Sequence, residues 1–138
     1  MYMNTNTRIL APEFTFSRPR SLAEAFGLLK QHGDGARLQA GGTDLLVQMK
    51  MERLSPRHVI SLSGVKDLDG IAAGNGLTIG AATTIWTISK SREVAARAAA
   101  LREACDAFST VSIMFMGTLG GNLCNASPAA DTAPALLV

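Results

Sequence analysis

The spacing of apolar and polar positions predicts a strand-helix-strand-helix-strand unit over residues 14–62. Phe14, Thr15 and Phe16 read as a short strand, stopped by Pro19. Ser21 and Glu24 then form a capping box, in which each side chain reaches a backbone amide that the helix start leaves free. Leu22, Ala25, Phe26 and Leu29 recur at i, i+3, i+4 and i+7, which predicts one buried helical face. Gly33 and Gly35 close that helix, and residues 37–40 read as a second strand. Gly41, Gly42 and Thr43 break it, and residues 44–53 read as a second helix. Lys50 and Arg53 sit at the end of this helix where cations suit its dipole. Pro56 ends the helix and residues 58–62 are a third strand. Units of this order ordinarily carry parallel strands with right-handed crossovers.

Beyond residue 62 the pattern changes. Residues 70–74 and 77–81 flank Asn75-Gly76, a pair that signals a hairpin with a type I′ turn and positive φ at both positions. The change from parallel units to a hairpin predicts a boundary near Ser63-Gly64, hence two subdomains, 1–62 and 63–138. Thr83 and Thr84 are candidate caps of a short helix. Residues 92–108 read as one longer Ala-rich helix, with Val94, Ala98, Leu101, Cys105 and Phe108 on a single face. A glycine loop follows at 117–122, then an irregular segment to Asp131. The last residues, 134–138, are apolar and uncapped, as at a cut rather than a natural terminus.

Composition narrows the class. Hydrophobic residues make up 47% and charged residues 17% of 138, enough apolar material for a core. A net charge of +2 without a basic run excludes a nucleic-acid partner. Residues 1–7 are polar and carry no signal-peptide pattern, and no apolar run is long enough to span a membrane; the expected compartment is the cytoplasm. Cys105 and Cys124 form no CxxC pair and have no metal-completing histidines, so both are expected to pack, as are the lone His32 and His58. The pairs Met49/Met51 and Met114/Met116 are expected in the core, and no Ser-His-Asp or Cys-His set can be assembled.

Two glycine loops remain. Ala40-Gly41-Gly42-Thr43-Asp44 lies between a strand and a helix start, where glycines admit close approach and free amides attract phosphate. The Asp44 carboxylate would oppose phosphate unless it turned back to cap the helix. Gly117-Thr118-Leu119-Gly120-Gly121-Asn122 is neither the GxGxxG fingerprint nor a P-loop. Each loop alone reads as a turn. Together they point to a ligand with two phosphates, FAD among them.

These residues also carry a resemblance. LQAGGTDLLVQMK at 38–50 and GTLGGNLCNASPAADTAPAL at 117–136 resemble, in order and separation, the two FAD motifs of molybdenum hydroxylase flavin subunits, the xanthine dehydrogenase and aerobic carbon monoxide dehydrogenase type. FSRPRSLAEAFGLL at 16–29 adds to it. The resemblance implies an α+β chain with two subdomains of the vanillyl-alcohol oxidase/PCMH-type FAD-binding fold, the second incomplete. It implies that the backbone of Leu38, Gln39, Ala40, Gly41, Gly42, Thr43, Asp44 and Leu45 holds the FAD diphosphate. Gly117, Thr118, Leu119, Gly120, Gly121 and Asn122 would contact phosphates and ribityl, with amides at Gly41, Gly42, Thr43, Gly120 and Gly121 as the cradle. Phe108 would lie beside the cofactor and Asp131 would contact it.

The implied partners are a molybdenum-cofactor subunit and a [2Fe-2S] iron-sulfur subunit, with NAD or a quinone as acceptor. No side chain here need be catalytic and no metal ligand is expected. The chain departs from the family pattern at Ser112-Ile113-Met114-Phe115, where a polar Gln-Ile-Arg-Asn-like stretch is usual. It departs again at Ile85-Trp86, where a histidine usually follows the paired threonines. The segments that cover the flavin ring in the family are absent, so the chain alone is expected to be inactive. The alternative is a non-catalytic docking fragment that binds no FAD.

Overall fold

The computed structural model describes residues 13–138; the reading of residues 1–7 falls outside them. Strands β1 (Thr15–Ser17), β2 (Ala36–Gln39) and β3 (His58–Ser61) form a parallel sheet in the order β1-β3-β2. Thr15 and Ala36 both pair with His58, so the central strand is buried along its whole length. Helix α1 (Leu22–His32) links β1 to β2, and α2 (Leu45–Lys50) links β2 to β3. The capping box forms as read: Ser21 Oγ accepts from the Glu24 amide at 3.2 Å, and the Arg20 amide donates to Glu24 Oε2 at 2.7 Å. The expected apolar face of α1 is only partly used. Ala25 is buried, whereas Leu22 and Phe26 are exposed, Phe26 at 64%, because the small β1–β3 edge is too narrow to cover a full stripe.

The strand pair β4 (Ile71–Ala73) and β5 (Leu77–Ile79) is antiparallel. The hairpin exists, but its turn is not type I′. Ala73 pairs with Leu77, which leaves the three-residue loop 74–76, and neither Asn75 nor Gly76 has positive φ. The loop is held instead from outside: Arg97 donates to the carbonyls of Gly74 and Gly76 at 2.8 and 3.3 Å.

The same contact accounts for a second correction. The expected single helix over 92–108 is two helices, α4 (Arg92–Arg97) and α5 (Ala99–Asp106), broken at Ala98 (φ −144°, ψ 60°). Docking of α4 on the hairpin overrides the helix propensity of the alanine run, a weak local preference. The apolar face itself is as read: Val94, Leu101, Cys105 and Phe108 join Ile85, Ile88, Met114 and Leu119 in one core. Thr84 caps α3 (Ile85–Lys90), accepting from the Thr87 amide at 3.2 Å. Met51 and Met116 are exposed, unlike Met49 and Met114.

The segment before Gly117 carried no element in the sequence reading, and 117–122 was expected as a loop followed by an irregular segment; both sides of Gly117 are helical. Val111–Met116 forms α6 and Leu119–Asn125 forms α7. The two departures from the family pattern meet here. Phe115 of α6 stacks on Trp86 of α3, ring centroids 4.5 Å apart, and Lys90 Nζ lies 4.8 Å from the Trp86 centroid. Asp106 makes exposed ion pairs with Lys90 and Arg102.

His58 is buried among polar partners. Its ring nitrogens meet the hydroxyls of Thr15 and Ser17, the latter at 3.0 Å, and its ring stacks on His32 at 3.8 Å, tilted 6°. Burial, followed by the nearby His32, holds its pKa below the ordinary histidine value. A histidine kept neutral in the fold binds a proton more readily when unfolded. Stability is then fully present above about pH 6.5 and falls as the pH drops through that value toward the folded pKa. Denaturant midpoints measured from pH 8 to pH 5 are expected to fall in the wild type. A His58→Gln variant should show a shallower fall, whatever its starting stability.

Candidate cofactor site

A cleft of about 450 Å³ opens between the end of β2 and the start of α7. Every residue expected at the site lines it except Leu119 and Asp131. Leu119 turns its side chain into the core, and Asp131 is exposed outside the lining. The neighbouring Thr132 is fully buried, and its amide and hydroxyl donate to Asn122 Oδ1 at 3.4 and 2.6 Å, which ties the 131–132 turn to α7.

The first loop is shaped by its glycines for two separate reasons. Gly42 has φ +77°, a conformation that side chains rarely adopt. Gly41 is packed against backbone: a Cβ there would lie 2.7 Å from the Met116 carbonyl carbon and 3.0 Å from Gly117 Cα. The chain then enters α2 with the Leu46 amide donating to Gly42 O at 3.0 Å. The amides of Gly41, Gly42, Thr43, Asp44 and Leu45 have no acceptor among the described residues. Asp44 stands at the helix start and its carboxylate accepts no capping bond, so the turn-back that would keep it from opposing phosphate is not made and the free amides must outweigh it. Five consecutive free N–H groups at a helix start form a positive patch suited to an anion.

The second loop is built differently. It is a helix start, yet all its amides except that of Thr118 are already engaged. Leu119 donates to Thr83 O at 3.1 Å, Gly120 to Ala81 O at 2.8 Å, and Gly121 to Thr118 Oγ1 at 3.1 Å. The Ile85 amide donates to Gly117 O at 2.9 Å. Gly120 has to be glycine for this, since a Cβ would meet Ala81 at 2.8 Å. The second loop is thus pinned to residues 81–85 and supplies a wall, while the free donors belong to the first. Of the two loops' expected cradle amides, those of Gly120 and Gly121 are satisfied within the protein.

Lining residues outside the expected set are Arg37, Gln48, Leu54, Leu62, Leu68, Ala81, Ala82, Cys124 and Asn125. Gln48, Cys124 and Asn125 lie inside the two stretches that carried the resemblance, so proximity to the motifs was a usable signal. Leu54, Leu62 and Leu68 come from connections whose sequence has no mark of a site. The lining holds one cation, Arg37, and one anion, Asp44. Arg37 Nη1 donates to the carbonyls of Asp34 and Ala36 at 3.0 and 2.7 Å. Cys124 is exposed at this cleft rather than packed, whereas Cys105 is buried and its thiol is pushed up to about 11 by burial and then by Asp106.

Comparison with known proteins identifies the fold. Residues 12–138 match the family described as the FAD binding domain in molybdopterin dehydrogenase. The chain belongs to this family. FAD is the cofactor of such domains. The chain is 38% identical over 125 residues to the carbon monoxide dehydrogenase medium chain of Afipia carboxidovorans, covering 90% of this chain and 43% of that protein. It is 32% identical to the xanthine dehydrogenase FAD-binding subunit of Escherichia coli O157:H7, with 90% and 43% covered. Among solved structures, carbon monoxide dehydrogenase from Hydrogenophaga pseudoflava superposes with a TM-score of 0.87 at 34% identity, covering 90% of this chain and 44% of that one. Quinoline 2-oxidoreductase from Pseudomonas putida 86 gives 0.84 at 29% identity, with 88% and 42% covered. The chain therefore spans less than half the length of these relatives. No helix among the described residues is long and apolar enough to cross a membrane.

Fit to a dinucleotide is testable on the geometry. The volume lies in the range of ordinary ligand sites, and the free amides of 41–45 can accept a diphosphate without any added cation. Gly41→Ala should lower stability by at least about 2 kcal/mol, because backbone rather than a side chain occupies the space. Gly76→Val, whose Cβ would meet nothing within 4 Å, should change it by no more than about 0.5 kcal/mol. Chemical denaturation of both variants checks the pair; equal losses would mean that the Gly41 contact is not specific. Titration of the native chain with a thiol reagent at pH 8 should label one thiol, that of Cys124, and a second only on unfolding.

Proposed function

We propose that this chain supplies the diphosphate grip of a molybdenum hydroxylase flavin subunit. The first loop, Leu38 to Leu45, holds the FAD diphosphate through backbone amides. The second loop, Gly117 to Asn122, forms the opposing wall against phosphate and ribityl, Phe108 borders the cofactor, and Asp131 contacts it from the adjoining turn. The unit divides into subdomains 1–62 and 63–138, and the cleft lies where they meet. The observation that carries this reading is the run of five unpartnered amides at 41–45, set in a cleft whose other wall is the second glycine loop.

FAD supplies the redox chemistry, accepting electrons and passing them on, and the protein supplies grip and orientation. None of the side chains named here acts as an acid, base or nucleophile. In the full assembly the subunit works beside a molybdenum-cofactor subunit and a [2Fe-2S] subunit in the cytoplasm, and its electrons leave to NAD or a quinone. The names of the relatives support the flavin-subunit part of this reading: carbon monoxide dehydrogenase medium chains and xanthine dehydrogenase FAD-binding subunits.

Affinity should be limited by what the cleft encloses. Burying a large aromatic ring is a main source of ligand affinity, and a site that covers only part of the cofactor forgoes it. Calorimetric titration of the 138-residue chain with FAD should give a Kd weaker than about 1 μM (about −8 kcal/mol). Binding should be lost in a Gly42→Val variant, which combines positive φ with a blocked loop. Sub-micromolar binding would show a ring site beyond the cleft described. No binding at millimolar FAD would favour a docking module that keeps the fold without the cofactor.

A further inference from the structure

We infer that Asn125 is a diphosphate-binding residue of this cleft and that Gln48 positions it, an assignment that rests on reading the cleft as the FAD cradle. The two side chains project from opposite walls, 77 positions apart in sequence, and Gln48 Nε2 donates to Asn125 Oδ1 at 3.4 Å. Gln48 lies one helical turn beyond the first loop, its own amide donating to Asp44 O at 2.9 Å. Asn125 is the last residue of α7, which starts at the second loop. Among the described residues, this is the only hydrogen bond between residues 13–61 and residues 65–138. At the chain connection itself Arg18 Nη2 donates to Ser63 O at 3.3 Å, and the cleft walls otherwise meet in van der Waals contact, such as Gly41 on Met116 and Gly117.

The charge balance of the cleft is the reason to expect such a role. One guanidinium and one carboxylate line it, so no net positive charge faces the ligand. Arg37 is partly committed to the carbonyls of Asp34 and Ala36, and the amides of Gly120 and Gly121 are spent internally. A diphosphate at this site must then be held by neutral N–H donors. The first loop offers its backbone. On the opposite wall, Asn125 Nδ2 has two N–H groups with no acceptor among the described residues. A carboxamide that accepts at Oδ1 from one side directs its NH₂ away from that side. Gln48 thereby orients Asn125. The pair joins the two walls and adds the Asn125 donor to the Thr118 amide, the one backbone N–H of the second loop with no acceptor among the described residues.

The test separates binding from bridging. Asn125→Asp keeps the acceptor that Gln48 uses and replaces the donor by an anion, whereas Asn125→Ala removes both. Calorimetry with FAD and with ADP, beside thermal unfolding, is run on the wild type and each variant. Asn125→Asp is expected to unfold at the wild-type temperature yet bind both ligands at least 10-fold more weakly. The loss should persist in 1 M salt, where the Debye length is about 3 Å and only direct contact survives screening. Asn125→Ala should bind both a few-fold more weakly. Wild-type affinity in Asn125→Asp, or a loss that 1 M salt abolishes, would overturn the assignment and leave the cradle reading standing. A wild-type chain that binds neither ligand would bring down the cradle reading and this assignment with it.

Discussion

The structure turns on one close approach: the backbone of Gly41 against the carbonyl of Met116 and the Cα of Gly117. Nothing larger than hydrogen fits between them, so the end of β2 and the end of α6 meet main chain to main chain. That contact sets the separation of the two glycine loops and with it the width of the cleft. Gly120 repeats the device one turn on, lying against Ala81. Two glycines are therefore required by packing, at positions where a ligand-centred reading would assign them to the ligand alone. Gly42 is required by its positive φ, a third and independent reason.

This architecture divides labour between the loops. The second loop is rigidified at the cost of its donors: Leu119, Gly120 and Gly121 are each hydrogen-bonded within the protein. The first loop keeps its donors because α2 starts there and no residue caps it, Asp44 included. An anion in the cleft would complete what the fold leaves open, since unpaired amides are favourable only where water or a ligand can reach them. The absence of net charge along the lining favours ligands that use many neutral hydrogen bonds over those that need a single strong ion pair.

Trp86 and Phe115 belong to the two stretches read as departures from the family pattern, and they stack on one another. Two stretches far apart in the sequence thus meet in space. With less than half the length of its relatives, the chain nevertheless contains both walls of the cleft.

Much of the fold was legible because it is local. The capping box at Ser21 and Glu24, the parallel unit over 14–62, the apolar face from Val94 to Phe108 and the Thr84 cap depend on residues a few positions apart, and all are present. The motifs marked both cleft walls for the same reason: a glycine pair at a strand or helix end is a local feature. Elsewhere distant parts decided. Arg97 holds the 74–76 loop and α4 docks on the hairpin, which breaks the alanine run at Ala98 and replaces the type I′ turn. The helices α6 and α7 were missed because six or seven residues give too little periodicity to see; their ends are set by Gly117 and by Thr118 capping onto Gly121. Phe26 lies exposed because burial needs a partner surface, which a stripe along one helix cannot specify. Which amides stay free could not be read at all, since it depends on carbonyls of residues 81 and 83 brought to the second loop and of none brought to the first. The sequence alone determined which segments can turn, start helices and approach a ligand; the tertiary structure decided which of their donors remain available, because a hydrogen bond is settled by where its acceptor ends up in space.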